Sequence, residues 1–313
     1  MHLAFLLFAL FASLFTLQKD TLNYSEPFFL VGSRMLFAGI LMLTYLFIRN
    51  RSLFKFKIEH LTTLFLLALM NIYLTNIFEI WAINHMVSSK ACLIYSLSPF
   101  IAALVAFFVL KERLSRKKWI GMLLGFSGLF PILFTQTQEE LSAGSVSIFS
   151  LAQLSLVGAV FCSVYGWILL KKMVSEFNYS PLMANGVSMA LGGALALGHS
   201  YYSGENWAPI PVTNFQPFIV QSLAMCLISN IICYNLYGYL LKRFTATFMS
   251  FAGLVTPIFA SLFGWFFLGE TITWHFFASI ALFSCGLTIF YQEEIKQGES
   301  FKVKSTTKRS NAA

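Results

Sequence analysis

The sequence predicts an all-α integral membrane protein with ten transmembrane helices, arranged as two inverted five-helix repeats. Composition is the first reason: 58% of the residues are hydrophobic, only 11% are charged, and the mean hydropathy is +0.73. So few polar residues cannot cover the surface of a soluble protein of this length. The second and third reasons are the number of long apolar segments and a motif that occurs twice.

The apolar segments are long enough to cross a lipid bilayer. A crossing needs roughly 20 apolar residues, so a chain of 313 residues with short connections accommodates about ten of them. The predicted spans are Leu3–Leu17, Pro27–Ile48, Leu61–Trp81, Ser88–Leu110, Trp119–Phe134, Leu151–Leu170, Pro181–Gly198, Phe218–Leu240, Thr247–Leu268 and Phe276–Tyr291.

The repeated motif lies in the fourth and ninth spans. Pro99 recurs 158 residues later as Pro257, and Glu112 recurs at the same spacing as Glu270. Each copy runs from the proline through an apolar stretch to the glutamate, and each unit contains five spans. Because five is an odd number, the second unit enters the membrane from the opposite face. The predicted units are a first repeat at residues 1–138, a second at 139–296 and a basic cytoplasmic tail at 297–313.

Positive charge predicts the orientation. If both termini are cytoplasmic, the segments on that side hold eighteen of the 21 Lys and Arg residues, and only Lys19 and Lys90 fall in outside loops. Cytoplasmic enrichment of Lys and Arg is the rule for inner-membrane proteins. The net charge of +8 therefore reports membrane orientation. Dispersed over short loops and a tail, these residues do not predict a nucleic-acid partner.

The sequence resembles the drug/metabolite transporter superfamily, specifically its EamA-type members with ten helices. The resemblance rests on Pro27 and Arg34, on SPF at residues 98–100, on LKERLSRKKWIGMLLGFSGL at residues 110–129 and on the second motif copy. It implies a secondary carrier with a central cavity. Within the superfamily the chain resembles carriers of obligate intracellular bacteria that exchange S-adenosylmethionine for S-adenosylhomocysteine. The resemblance thus implies two partners, which are a small zwitterionic or cationic metabolite as the substrate and membrane lipid.

Arg34 and Glu79 are the leading site candidates, because charge within a membrane span is costly and marks function by default. Arg34 lies about seven residues into its helix from the outside, and Glu79 about two residues from the outer end of its helix. Their depths differ by roughly 5 to 10 Å. One interpretation is a salt bridge that only joins two helices. The other is that Arg34 binds a carboxylate of the solute and Glu79 a cation.

Polar residues follow Glu79 along the third span. Asn71, Thr75 and Asn76 have the spacing of one helical face, and Asn235 lies in the eighth span, the counterpart of the third. Such a face lines either a cavity or a neighbouring helix. The placement in both repeats favours a shared central cavity.

Aromatic residues beside polar ones are further candidates for the substrate site. Tyr95, Trp167 and Tyr234 have rings that could stack on a purine or contact a cation. Pro99 and Pro257 lie within predicted spans, and proline removes a backbone hydrogen bond there, so we predict kinks at both. The alternative is that each proline begins a straight helix.

Other functional classes receive less support. The five cysteines have no metal-ligand spacing, and no cofactor motif is present. A membrane-embedded enzyme is disfavoured because the sequence contains no HExxH motif or nucleophile elbow, and Asp20 is its one aspartate. A drug or amino-acid exporter of the same superfamily and a membrane protein that transports nothing remain as alternatives. The sequence predicts no oligomeric state.

Overall fold

The computed structural model is almost entirely helical. It describes residues 2–54, 57–109, 114–128, 130–133, 138–146, 149–240, 249, 253, 255–270 and 273–310. The first half contains α1 (His2–Thr21), α2 (Pro27–Arg49), α3 (Ile58–His85), α4 (Ser88–Tyr95), α5 (Ser98–Val109), α6 (Arg116–Ser127), α7 (Phe130–Leu133) and α8 (Gln138–Ser142). A two-stranded hairpin, β1 (Ser145–Val146) and β2 (Phe149–Ser150), leads to α9 (Leu151–Glu176), α10 (Pro181–Tyr202), α11 (Phe215–Leu240), α12 (Val255–Leu268) and α13 (Trp274–Ser310).

The helices confirm the prediction of an all-α membrane protein. Among the described residues, seven helical segments are long and apolar enough to cross a membrane, and α12 is a shorter apolar helix. Every predicted span overlaps a helix. The end of the fifth predicted span and the start of the ninth fall partly outside the described residues. Large apolar side chains such as Phe266 and Phe267 of α12 are mostly exposed, as lipid-facing residues are.

Close helix packing depends on glycine at two contacts. The second helices of the predicted repeats, α2 and α10, pack directly against each other, as do α6 and α13 near the end of each repeat. In the second contact, a methyl group on Gly286 would lie 2.5 Å from the Gly125 backbone nitrogen. The backbones therefore touch where small residues allow it. Gly121 and Gly125, four residues apart, therefore form a packing surface for Gly286.

One substitution in α10 is expected to destabilise the fold, and another in the same helix is not. A β-carbon on Gly193 would collide with the Leu36 backbone nitrogen, whereas nothing lies within 4 Å of one on Gly198. We expect Gly193→Val to lower stability by about 3 kcal/mol or more, because backbone cannot move aside as a side chain can. The test is thermal unfolding of purified protein in detergent. Equal melting temperatures for Gly193→Val and Gly198→Val would contradict the α2–α10 contact.

Two π-helical segments interrupt the third and eighth predicted spans. Residues Ala68–Leu74 of α3 and Cys226–Cys233 of α11 form them, and their first residues are 158 positions apart, the spacing of the sequence repeat. A π-helix changes which side chains share a face, and such segments often occur at functional sites. Each lies immediately before residues of the central cavity described below.

The fourth predicted span is discontinuous. It breaks at Ser96 and Leu97, between α4 and α5, and Pro99 lies in the first turn of α5. Pro257 likewise lies in the first turn of α12, after a turn at Gly253. Both prolines therefore begin a helical segment, where the missing amide hydrogen is tolerated. At Pro99 the span is therefore interrupted, where the sequence predicted a kink.

Candidate functional site

A central cavity lies between the two halves of the chain. Its volume open to the centre of a water molecule is about 170 Å³. Helices α1, α3, α4, α5, α9, α11 and α12 all contribute to its walls, together with Gly253. The polar and aromatic side chains that line it include Gln18, Thr75, Asn76, Glu79, Tyr95, Ser96, Ser163, Trp167, Lys171, Tyr234, Tyr237 and Thr256.

The π-helical segment of α3 determines which of its polar residues reach the cavity. Thr75 and Asn76 follow the segment directly, and with Glu79 they line the cavity as predicted. Asn71 lies inside the segment and packs on Gly166 of α9 instead. The prediction that Asn71 shares their face is therefore wrong, because hydrogen bonds from residue i to i+5 break the 3.6-residue period on which it rests.

Glu79 lies deeper than the sequence indicates. Helix α3 continues to His85, so Glu79 is six residues, or about 9 Å, from its end. The Tyr95 hydroxyl donates a hydrogen bond of 2.6 Å to the Oε2 atom of Glu79, and the side chain of Gln18 is a second hydrogen-bonding neighbour. The carboxylate is thus oriented by two cavity residues and stays partly exposed to the cavity.

Arg34 does not line the cavity and lies behind Asn76. Its guanidinium donates through Nη2 to the Oδ1 of Asn76 at 3.4 Å and through Nη1 to the sulfur of Met225 at 3.3 Å. Among the described residues, the salt bridge is between Lys90 and Glu140, so the hypothesised Arg34–Glu79 bridge is not formed. The Arg34 side chain is only 3% exposed, and its hydrogen bond orients Asn76, which does line the cavity.

Aromatic rings form one wall of the cavity. Trp167 stacks on Tyr237 with ring centroids 4.0 Å apart, and its centroid lies 5.2 Å from that of Tyr234. Tyr95, another ring of the lining, packs edge-on against Phe15 at 5.6 Å. All five rings line the cavity. They offer flat apolar surface to a planar ligand and π-faces to a cation.

Asn235 lies outside the cavity. It follows Tyr234 directly, which turns its side chain about 100° around the helix and away from the cavity. There its Oδ1 accepts a hydrogen bond from Asn185 at 3.2 Å, and its Nδ2 donates to the sulfur of Met42 at 3.2 Å. The structure thus brings six of the eight predicted site residues to the cavity wall and places Arg34 and Asn235 behind it.

Several lining residues were missed by sequence reasoning. Phe11, Phe15 and Gln18 of α1 face the cavity at helical spacing, and Ser163 and Lys171 of α9 lie four residues to either side of the predicted Trp167. In both helices polar residues continue an otherwise apolar or aromatic face, and that periodicity could have identified them. Lys171 is exposed, so the cavity reaches the basic end of the molecule at this residue.

The opposite end of the molecule is closed by polar contacts. The Glu270 carboxylate accepts hydrogen bonds from the backbone nitrogens of Ser88 at 2.7 Å and Ser89 at 3.2 Å, and so caps the N-terminus of α4. Beside it, the Nζ of Lys90 lies 2.6 Å from a Glu140 carboxylate oxygen, with both residues buried. Lys90 was expected in an outside loop, but it lies in the first turn of α4, where Glu140 compensates its charge.

The buried ion pair supplies a stability prediction. Breaking a buried ion pair by removing one of its charges is strongly destabilising, so we expect Glu140→Gln to destabilise the protein by about 3 to 5 kcal/mol. The double variant Lys90→Met with Glu140→Leu should recover most of that loss. Chemical unfolding in detergent micelles measures both. A Glu140→Gln variant as stable as the unmodified chain would contradict the pairing.

Comparison with known proteins places this cavity in a family. The sequence matches the EamA-like transporter family over residues 1–134 and 150–292. An S-adenosylmethionine/S-adenosylhomocysteine transporter of Chlamydia muridarum is 36% identical over 297 residues, which cover 95% of this chain and 92% of that protein. The protein of the same description from Chlamydia trachomatis serovar L2 is 35% identical, with 95% and 90% covered.

The fold is also similar to that of a solved crystal structure. The match has a TM-score of 0.64 at 15% sequence identity and covers 92% of this chain and 95% of the other. At that identity the match supports the fold alone. The sequence match extends over most of the chain, and the helices, cavity and apolar surface are those of a multi-pass transporter. The chain therefore belongs to the EamA-like transporter family.

Proposed function

We propose that this protein takes up S-adenosylmethionine across the bacterial inner membrane in exchange for S-adenosylhomocysteine. The central observation is one cavity that combines a carboxylate, Glu79, with a wall of aromatic rings. Relatives named for this exchange, 35–36% identical over 95% of the chain, support the substrate.

The chemistry of the ligands suits this cavity. Both metabolites carry a purine, a ribose and an amino-acid group, and S-adenosylmethionine carries a positive sulfonium as well. The indole of Trp167 and the ring of Tyr234 provide stacking surface for the purine. Glu79 provides negative charge where a positive group of the ligand would bind, at the end of the cavity away from Lys171.

The state of the cavity fits alternating access. We infer that both termini and the basic end of the molecule are cytoplasmic, following the distribution of Lys and Arg. Under that orientation the cavity opens to the cytoplasm at Lys171, while Glu270 and the Lys90–Glu140 pair close the outer side. Rocking of the repeats at 1–138 and 139–296 about the cavity would expose the site to each side in turn.

Uptake into intact bacteria tests the proposed function. Cells that express the chain would receive labelled S-adenosylmethionine, followed by an excess of unlabelled S-adenosylhomocysteine outside. Saturable uptake followed by release of label on the chase is the expected result. Uptake no greater than in cells with the empty vector, with the protein verified in the membrane, would overturn the substrate and leave the transporter family in place.

A further inference from the structure

A buried amide marks the deep end of the cavity. Gln18 of α1 lines the cavity beside Glu79, and its side chain is only 5% exposed. Its amide oxygen has no hydrogen-bond donor among the residues that the structure describes. A buried acceptor without a donor is unusual and calls for a physical account. One account is that a bound ligand supplies the donor, since rotation of the terminal amide presents either of its polar atoms to the cavity.

The Glu79 carboxylate leaves acceptor capacity at the same place. Two carboxylate oxygens offer about four acceptor positions, of which the hydroxyl of Tyr95 occupies one and the side chain of Gln18 a second. Tyr95 is itself held by edge-on contact with Phe15. A carboxylate and an amide oxygen on neighbouring helices thus converge, and they match a positively charged group that carries several N–H donors.

A primary ammonium has three N–H donors and a positive charge, so it can bond to both Glu79 and Gln18. A sulfonium has positive charge but no N–H group, and it would leave the Gln18 oxygen unsatisfied. The geometry therefore favours the ammonium group. The identity of the ligand that carries this ammonium group rests on the proposed function.

We propose that Glu79 and Gln18 together bind the α-ammonium of the amino-acid group of the substrate, and that Gln18 is a residue that determines specificity. An exchanger must bind both of its substrates in one site. S-adenosylmethionine and S-adenosylhomocysteine share the α-ammonium, whereas only the first has a sulfonium. A subsite for the shared group lets one carboxylate serve both substrates, and the sulfonium is left to the aromatic rings.

The test removes the α-ammonium from the ligand and, separately, the Gln18 amide from the protein. Exchange of labelled S-adenosylmethionine is inhibited with S-adenosylhomocysteine or with its analogue in which hydrogen replaces the α-ammonium. We expect the analogue to inhibit the unmodified protein about 10- to 100-fold more weakly, the range for hydrogen bonds to a charged group. In Gln18→Leu the ratio of the two inhibition constants should fall several-fold. Thr16→Val, a buried change in the same helix, should keep the original ratio.

The other outcomes contradict either this proposal or the proposed function. Equal inhibition of the unmodified protein by both compounds overturns the proposal without any variant, and so does an unchanged ratio in Gln18→Leu. If Gln18→Leu does not reach the membrane, Gln18→Met, which keeps the length of the side chain, replaces it. Absence of exchange in the unmodified protein instead overturns the proposed function.

Discussion

Replacement of Glu79 with glutamine is expected to reduce uptake of labelled S-adenosylmethionine at least about 30-fold, without loss of the protein from the membrane. Glu79 and Lys171 are the charged side chains that line the described part of the cavity, and Glu79 lies at its deep end. Loss of one partner in a desolvated charge pair costs about 2 to 5 kcal/mol, which corresponds to this reduction. The substitution keeps the size of the side chain and an acceptor for the Tyr95 hydroxyl, so the packing should survive.

The measurement is the initial uptake rate, normalised to the amount of protein in the membrane. Glu59→Gln is a matched control, because Glu59 is an exposed carboxylate at the other end of the same helix. It should transport at the unmodified rate. Uptake by Glu79→Gln within about threefold of that rate would reduce Glu79 to a helix contact with Tyr95.

Replacement of Trp167 with alanine is expected to raise the KM for S-adenosylmethionine by about 5- to 100-fold. Loss of an aromatic ring that stacks on a nucleic-acid base costs about 1 to 3 kcal/mol, and the purine of this substrate is such a base. Trp167 is also held against Tyr237 at 4.0 Å, so the ring is already oriented before the ligand arrives. Its loss should therefore affect binding more than the maximal rate.

Concentration dependence of uptake separates these two effects. Trp167→Phe retains a flat ring and should lose less than the alanine variant. Trp265→Ala is the control for tryptophan loss in general, because this residue of α12 is 59% exposed on the outer surface. An unchanged KM in Trp167→Ala, or an equal change in Trp265→Ala, would argue against purine stacking on this wall.

The membrane fold was largely predictable, because the membrane spans depend mainly on the local composition of the sequence. Apolar length, helix-starting prolines such as Pro27 and Pro181, and the distribution of Lys and Arg mark the spans with little reference to distant residues. The break before Pro99 was partly visible, since proline excludes a continuous hydrogen-bonded helix. Whether it bends or interrupts the span depends on contacts such as the Glu270 cap, which lies 182 residues away from Ser88.

The candidate site was predictable where helical period and polarity agreed. Thr75, Asn76 and Glu79 reach the cavity because they follow the π-helical segment and share regular helix. Asn71 does not reach the cavity. Its position could not be predicted, because no feature of the sequence indicates a change of hydrogen bonding from i+4 to i+5. Arg34 lies behind Asn76 and contacts Met225 of α11, a contact between the halves of the chain that periodicity in one helix cannot reveal.

Exchange in proteoliposomes tests the central claim most directly, because it removes every other transporter of the host cell. Purified protein would be reconstituted into vesicles that either are empty or contain unlabelled S-adenosylhomocysteine, and labelled S-adenosylmethionine would then be added outside. The account predicts rapid accumulation of label in the loaded vesicles, well above that in the empty ones, and its loss with Glu79→Gln. Equal label in loaded and empty vesicles, at the level of protein-free liposomes, would contradict it.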